Sequence, residues 1–114
     1  MSIYNHLPVY KAAYDLMLGI FQFTKDFPRE YKYTIGQDLK IETTQLIKRI
    51  FQANSDFRTR KQYIEHARAH IEVIRLYIRL LKDLKQINIR KFVFLSEKIE
   101  SVSKQLAGWQ QSCK

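Results

Sequence analysis

Five basic side chains in the second half of the chain are spaced so that one helix would present them together. Their spacings of seven, seven, four and three residues fall within a sector of roughly 60° on a helical wheel, at about 100° per residue. Arginine forks and lysine point charges in such a row are suited to binding phosphate groups. We name this row the basic stripe; its members are Lys61, Arg68, Arg75, Arg79 and Lys82.

The distribution of charge along the chain supports a polyanionic partner. The 114 residues carry a net charge of +9. Residues 1–57 contain 7 basic and 6 acidic side chains, whereas residues 58–114 contain 13 and 5. Clustered charge of this kind predicts binding to nucleic acid or to an anionic membrane surface. We predict that further cations close to the stripe are secondary phosphate contacts: Arg58, Arg60, Arg90 and Lys91, with Lys85 adding charge nearby.

The basic stripe has two other interpretations, a solvated face and an acidic-membrane contact. Solvated helix faces usually mix the two signs of charge. In this row Glu65, Glu72 and Asp83 fall beside the cations on the wheel and not among them. Membrane binding would require apolar side chains that insert next to the charge. Nucleic acid is therefore the favoured partner, and both alternatives stay open.

Residue patterns for catalysis or metal binding are incomplete in this chain. His66 and His70 have a spacing that metal ligands use, but Ala67 stands where zinc proteases place their glutamate. No glutamate has a histidine three residues later, as di-iron bundles require. We expect no catalytic residue, metal, cofactor or small-molecule substrate; an enzyme is the least favoured function. The single cysteine, Cys113, excludes an internal disulfide.

Two tyrosines lie among basic residues in the first predicted loop. Tyr31 and Tyr33 alternate with Arg29 and Lys32. Exposed aromatic rings between cations are the platforms on which unpaired bases stack. Packing of both rings within the turn is the other interpretation, and it is favoured.

The hydrophobic pattern predicts an all-α chain of four amphipathic helices. Only three Gly and two Pro occur, so the connections should be short. Four such helices form an up-down antiparallel four-helix bundle, with residues 1–114 as a single domain. The predicted helices cover residues 8–25, 34–54, 58–85 and 89–109.

Local signals mark where these helices begin and end. Pro8 suits the first helical position, and Phe27-Pro28 follows the first helix. Thr34 and Gln37 have the spacing of a capping box, and Asn88 is predicted to cap the fourth helix. Gly36, close to the start of the second helix, predicts the close approach of another backbone segment.

The third predicted helix carries more apolar surface than one core requires. A heptad seam is predicted along Tyr63, Ala67, His70, Ile74, Tyr77, Leu81 and Leu84. On the helical wheel, one apolar set (Ala67, Ile74, Ile78 and Leu81) and a second, surplus set together cover roughly 200°, beyond the ~100° that faces one core. We expect the surplus face to pack against another subunit; burial inside its own monomer is the alternative. The surplus face comprises Val73, Leu76, Tyr77, Leu80 and Leu84.

Targeting signals are not evident in the sequence. The N-terminus lacks a basic segment followed by an apolar run, and no stretch approaches the ~18 apolar residues of a membrane span. We therefore expect a cytoplasmic protein without a membrane partner.

Two groups of short motifs resemble a known family. The first is Leu7-Pro8-Val9-Tyr10, Phe27-Pro28 and Tyr33-Thr34-Ile35-Gly36-Gln37. The second is Ile74-Arg75-Leu76-Tyr77-Ile78-Arg79-Leu80 with Asp83-Leu84, followed by Leu106-Ala107-Gly108-Trp109. These motifs resemble the accessory variability determinant, the four-helix accessory protein of diversity-generating retroelements. Ala107 stands where that family usually has the first glycine of Gly-Gly-Trp. A related branch, encoded in intervening sequences of 23S rRNA genes, commonly carries Asn-Ile-Ala-Glu-Gly, which is missing here.

The resemblance implies a specific function. Members of that family form barrel-like homopentamers, and they bind the retroelement's reverse transcriptase and nucleic acid through basic surface residues. They support mutagenic reverse transcription of a template RNA without catalytic residues of their own. The alternative is a protein-interaction scaffold of the rRNA-intervening-sequence type that has no role with nucleic acid.

Overall fold

A computed structural model describes residues 7–113 of the chain. This part of the chain contains four long helices and one short helix, and it contains no strand. The four long helices correspond to the four predicted ones, whereas the short helix α2 occupies the predicted first loop. The elements are α1 (Pro8–Thr24), α2 (Arg29–Lys32), α3 (Ile35–Ser55), α4 (Arg60–Asp83) and α5 (Ile89–Ser112).

The long helices form a four-helix bundle with up-down topology. Helices α1 and α4 each pack against both α3 and α5, so α1 and α4 occupy diagonal corners. Short connections between successive long helices reverse the chain, because they leave no length for a crossover. The bundle measures 44 × 22 × 22 Å. The predicted all-α bundle is thereby confirmed for residues 7–113.

Helix α4 contributes an unbroken row of buried side chains to the core. The predicted heptad seam is partly wrong, because the buried row is shifted by one residue at several positions. Tyr63, His70 and Tyr77 are only half-buried and Leu84 is exposed. Isoleucine fills the centre of the bundle without leaving a polar atom unpaired, whereas tyrosine and histidine must keep their polar ends near solvent. The buried row is Ile64, Ala67, Ile71, Ile74, Ile78 and Leu81.

Most of the predicted helix ends are confirmed, but the capping box is not. Pro8 opens α1, and the side chain of Asn88 accepts a hydrogen bond of 2.8 Å from the Lys91 amide. The Thr34 side chain caps no amide of α3. Its hydroxyl instead donates to the carbonyl of Glu30, because α2 brings that carbonyl within reach one turn earlier.

Gly36 makes the close backbone contact that the sequence predicted. A Cβ atom at this position would lie 3.1 Å from the Tyr31 carbonyl oxygen and 3.6 Å from the ring of Phe27. Phe27 is buried, so the ring and the carbonyl together hold α2 against the start of α3. Gly108 differs, because a Cβ atom there would meet no atom within 4 Å.

The same substitution should have different effects at these two glycines. Gly108→Ala should raise the free energy of unfolding by about 0.5–1 kcal/mol, since alanine is the better helix former. Gly36→Ala should lose that gain, because its Cβ forces the Tyr31 carbonyl to move. Urea denaturation of both variants measures the difference. Equal stabilisation by the two substitutions would contradict the close packing at Gly36.

Candidate nucleic-acid interface

The basic stripe lies along the side of α4 that faces α5. Arg68 and Arg75 form hydrogen bonds with side chains of α5, whereas the other members lie nearer the ends of the bundle. Lys61 and Lys82 are 21 residues apart, which corresponds to about 32 Å along the helix axis. The nine predicted contact residues therefore do not form one continuous patch.

Arg75 is surrounded by carboxylates in the folded chain. Its guanidinium pairs with Glu100 of α5, and its Nε donates to Glu72 Oε1 at 3.2 Å. The sequence placed Glu72 beside the stripe but gave no sign of Glu100, which reaches the stripe only through the packing of α5. Two carboxylates compensate the charge of Arg75, so a phosphate group would have to compete with them.

Arg68 is engaged in a second contact between α4 and α5. Its guanidinium donates to the side-chain oxygen of Gln110, whose amide nitrogen in turn donates to Glu65 Oε1 at 3.3 Å. This chain of polar groups joins the first half of α4 to the end of α5. Arg68 and Arg75 thus connect the two helices in addition to carrying charge.

Three predicted contact residues lie at the α3–α4 end of the bundle. Arg60 has a structural role there: its Nε donates to the Ala53 carbonyl at 2.8 Å, and its guanidinium carbon lies 5.7 Å from the centre of the Trp109 ring. Arg58 and Lys61 are exposed, and neither forms an ion pair with a residue in 7–113. The side chains at this end are therefore only partly available to a ligand.

The larger group of available cations lies at the opposite end, around the α4–α5 turn. The Arg79 side chain is 75% exposed, and its nearest carboxylate oxygen, on Asp83, is 3.9 Å away. Arg90 is exposed and forms no ion pair within the described chain. We name this group the basic end; its members are Arg79, Lys82, Lys85, Arg90 and Lys91.

Aromatic rings support two lysines of the basic end. The Nζ atom of Lys82 lies 4.6 Å from the ring centre of Phe92, and that of Lys91 lies 5.1 Å from the ring centre of Phe23. Both rings are half-buried, so they form a fixed base for the lysine side chains. Such contacts hold a cation in place while its charge remains available to a ligand.

Lys85 occupies a backbone conformation that favours glycine. Its φ angle is 61°, in the left-handed region, directly after the last turn of α4. The Gln86 amide donates to the Leu81 carbonyl and the Lys85 amide to the Lys82 carbonyl, both at 2.9 Å, which is the pattern of a Schellman motif. A lysine at this position costs about 1 kcal/mol relative to glycine.

Arg90 and Lys91 are also placed at a cost to stability. They lie in the first turn of α5, which has no acidic residue. The positive end of the helix dipole disfavours cations there by about 0.3–1 kcal/mol each, less where solvent screens them. Residues that lower the stability of the fold are often found at functional sites. The basic end therefore concentrates positive charge beyond what folding requires.

Polar contacts on the other side of α4 fix its position against α3. His70 Nδ1 lies 2.9 Å from Glu42 Oε1, and the Tyr77 hydroxyl donates to Asp38 Oδ2 at 3.3 Å. Partial burial raises the pKa of Tyr77, and the negative charge of Asp38 raises it further. His66, the other histidine considered as a metal ligand, is exposed. Residues 7–113 bring together no group of three or more side chains able to hold a metal ion.

The surplus apolar face of α4 remains uncovered by the rest of the bundle. Leu76 is 63% exposed, and Val73, Leu80 and Leu84 are each more than a third exposed. Tyr77, at the edge of this face, is half-buried. Burial inside the monomer is thus excluded for most of this face. No helix within residues 7–113 has an apolar stretch sufficient for a membrane crossing.

The model of the bAvd-like family matches residues 8–113, which is nearly the whole chain. The chain belongs to the bAvd-like family. The resemblance to the accessory variability determinant is thereby confirmed. Comparison with curated proteins gives no match.

The sequence of this bAvd-like chain contains a partial signal for the basic end. Between the periodic patterns of α4 and α5 there is no glycine, so a helix that ends in a Schellman motif must place another residue in the left-handed conformation. Which residue does so depends on where α4 ends. The predicted end, residue 85, lies two residues beyond the observed end at Asp83. No local sequence pattern indicated that Arg68 and Arg75 would contact side chains of α5.

The left-handed conformation of Lys85 gives a test of the local backbone. Lys85→Gly should raise the free energy of unfolding by up to about 1 kcal/mol, because glycine adopts a φ of 61° without steric cost. Lys85→Ala removes the same charge but keeps the Cβ atom, and it should not stabilise the chain. Thermal and urea unfolding distinguish the two variants. Equal stability of both would contradict the left-handed assignment.

Proposed function

We propose that this bAvd-like protein is a non-catalytic accessory subunit of a diversity-generating retroelement. It binds template RNA and the reverse transcriptase through its basic surface and supports mutagenic reverse transcription. The observation that carries the proposal is the basic end, five cations around one turn of a chain that matches the family over residues 8–113. Binding should tolerate many sequences, since phosphate contacts carry no base information.

The geometry favours the basic end over the middle of the stripe as the main RNA contact. Arg79 and Arg90 are exposed and only weakly paired or unpaired within the described chain, whereas Arg75 is compensated by Glu72 and Glu100. Arg68, Arg75 and Arg60 then maintain the contacts that keep the helices in place. Lys61 and Arg58 supply a second, smaller charged site at the other end.

Charge reversal at the basic end tests this assignment. Arg79→Glu with Arg90→Glu should weaken binding of a structured RNA by about 10-fold or more, because two phosphate contacts become repulsive. The slope of log affinity against log salt, between about 50 and 200 mM, should become shallower by at least about 1.4 units. Fluorescence anisotropy with a labelled RNA measures both quantities.

The matched control changes the net charge equally at distant positions. Lys48→Glu with Lys104→Glu alters two exposed lysines on the outer faces of α3 and α5. It should leave affinity within about 3-fold, and circular dichroism should show unchanged helicity in both double variants. If the control weakens binding as much as the reversal at the basic end, only net charge matters. If neither the wild type nor the variants bind RNA, the scaffold alternative replaces the proposal.

The uncovered apolar surface supports assembly into a ring, the homopentamer that the family resemblance implies. Besides the α4 ridge (Val73, Leu76, Leu80 and Leu84), a second exposed ridge on α1 comprises Tyr14, Leu18 and Phe21. Phe21 and Ile41 of α3 line one groove beside this α1 ridge. Since α1 and α4 are diagonal corners, the two ridges face in different directions. One ridge of each copy can then pack on the other ridge of the next, the head-to-tail contact that generates rings.

A mixing experiment tests this head-to-tail assembly. Leu76→Asp and Leu18→Asp should each give monomers, because a carboxylate cannot be buried unpaired in the contact. An equimolar mixture should form a one-to-one dimer, since each variant keeps the ridge that the other has lost. Analytical ultracentrifugation measures the sizes, and Ile89→Asp, exposed but on neither ridge, should assemble as the wild type does. A mixture that stays monomeric contradicts the proposed pairing of ridges.

A further inference from the structure

Tyr33 presents an exposed aromatic ring between two cations. The residue is 63% exposed, whereas its neighbour Tyr31 is half-buried and packs against the core. The expectation that both tyrosines pack within the turn is therefore met by Tyr31 only. An aromatic ring that contributes little to the core is available for a contact outside the bundle.

The backbone that carries Tyr33 is held firmly. The Tyr33 amide donates to the Arg29 carbonyl at 3.3 Å, and the next residue, Thr34, donates through its hydroxyl to Glu30. Tyr31 on one side and the close contact at Gly36 on the other fix α2 against the start of α3. A ring on such a base loses little conformational entropy when a flat ligand packs on it.

Two cations flank the ring of Tyr33. The guanidinium carbon of Arg29 lies 6.0 Å from the ring centre, and Nζ of Lys32 lies 5.9 Å from it. Asp26 and Glu30 are exposed nearby in sequence and lower the local net charge. An aromatic face combined with adjacent cations matches a nucleobase and its flanking phosphates.

Tyr33 and the basic end lie at the same end of the bundle. The chain reverses between α1 and α3 through α2, and it reverses again in the same direction between α4 and α5. In an up-down bundle these two connections share one end, and the bundle is 22 Å wide. A single strand of a few nucleotides can therefore contact both.

We propose that the Tyr33 ring stacks on an unpaired base of single-stranded nucleic acid, with Arg29 and Lys32 contacting the adjacent phosphates. The inference rests on the proposed function, because it adds a base-stacking site to the phosphate-binding basic end. It assigns the protein a preference for unpaired segments, which phosphate contacts alone do not provide.

The test compares a single-stranded RNA 12-mer without self-complementarity and its duplex with the complementary strand. Tyr33→Ala should weaken binding of the single strand by about 5-fold or more and leave duplex binding within about 2-fold. Tyr33→Phe, which keeps the ring, should bind both as the wild type does. With 2-aminopurine at the centre of the strand, binding to the wild type should quench its fluorescence, and binding to Tyr33→Ala should not. The control is Phe57→Ala, which removes a ring that is 77% exposed at the opposite end of the bundle.

Results other than these overturn the proposed stacking site. The first result below overturns stacking alone, and the second removes the proposed function as well. Wild-type protein that binds the single strand and is matched by Tyr33→Ala overturns stacking but leaves the basic end in place. No RNA binding by the wild type removes the proposed function itself. The stacking site is also overturned if Tyr33→Ala weakens binding of strand and duplex equally. The same holds if Tyr33→Phe or Phe57→Ala weakens binding of the strand as much as Tyr33→Ala does. Dissociation of the oligomer in Tyr33→Ala, seen by ultracentrifugation, would assign the ring to a subunit contact instead.

Discussion

Burial of one row of α4 side chains between α3 and α5 determines the surfaces that this protein presents. Once Ile64, Ile71 and Ile78 fill the centre, every other position of α4 has its direction fixed by the helical period. The basic stripe must then lie next to α5, the histidine and tyrosine positions next to α3, and the surplus apolar residues outward. The direction of each remaining face of α4 therefore follows from which row is buried.

The face next to α5 combines two uses of positive charge. In its middle, Arg68 and Arg75 join α4 to side chains of α5, whereas at the α4–α5 turn the cations lack comparable partners. Lys85 in the left-handed region and Arg90 in the first turn of α5 each disfavour folding by a modest amount. A chain selected for stability alone would place glycine and an acidic residue there. The lysine and the arginine found there instead are the physical reason for proposing a ligand-binding surface at this end.

The outward face of α4 and the exposed ridge of α1 are the basis of the proposed assembly. Large apolar patches are exposed on both sides of this small bundle, and patches of this kind are typical of interaction surfaces. Assembly would repeat the basic end around a ring, so that a long RNA could contact several copies and bind more tightly than one copy allows. Weak, sequence-tolerant contacts in each subunit would then be sufficient for tight binding of the whole RNA.

The sequence by itself determined the helices, the bundle and the family, because periodic burial, capping by Asn88 and the close contact at Gly36 are local properties. It also separated the apolar and basic faces of α4, since those follow from the helical period alone. The predicted heptad seam misplaced part of the buried row, with His70 and Tyr77 instead of Ile71 and Ile78, because a choice between adjacent positions depends on which neighbours pack there. Only the tertiary structure brought Glu100 and Gln110 to the basic stripe, exposed Tyr33 while burying part of Tyr31, and set Lys85 in the left-handed region. Those outcomes depend on contacts between residues that are distant in the chain, or on the residue at which a helix stops, and no local pattern records them.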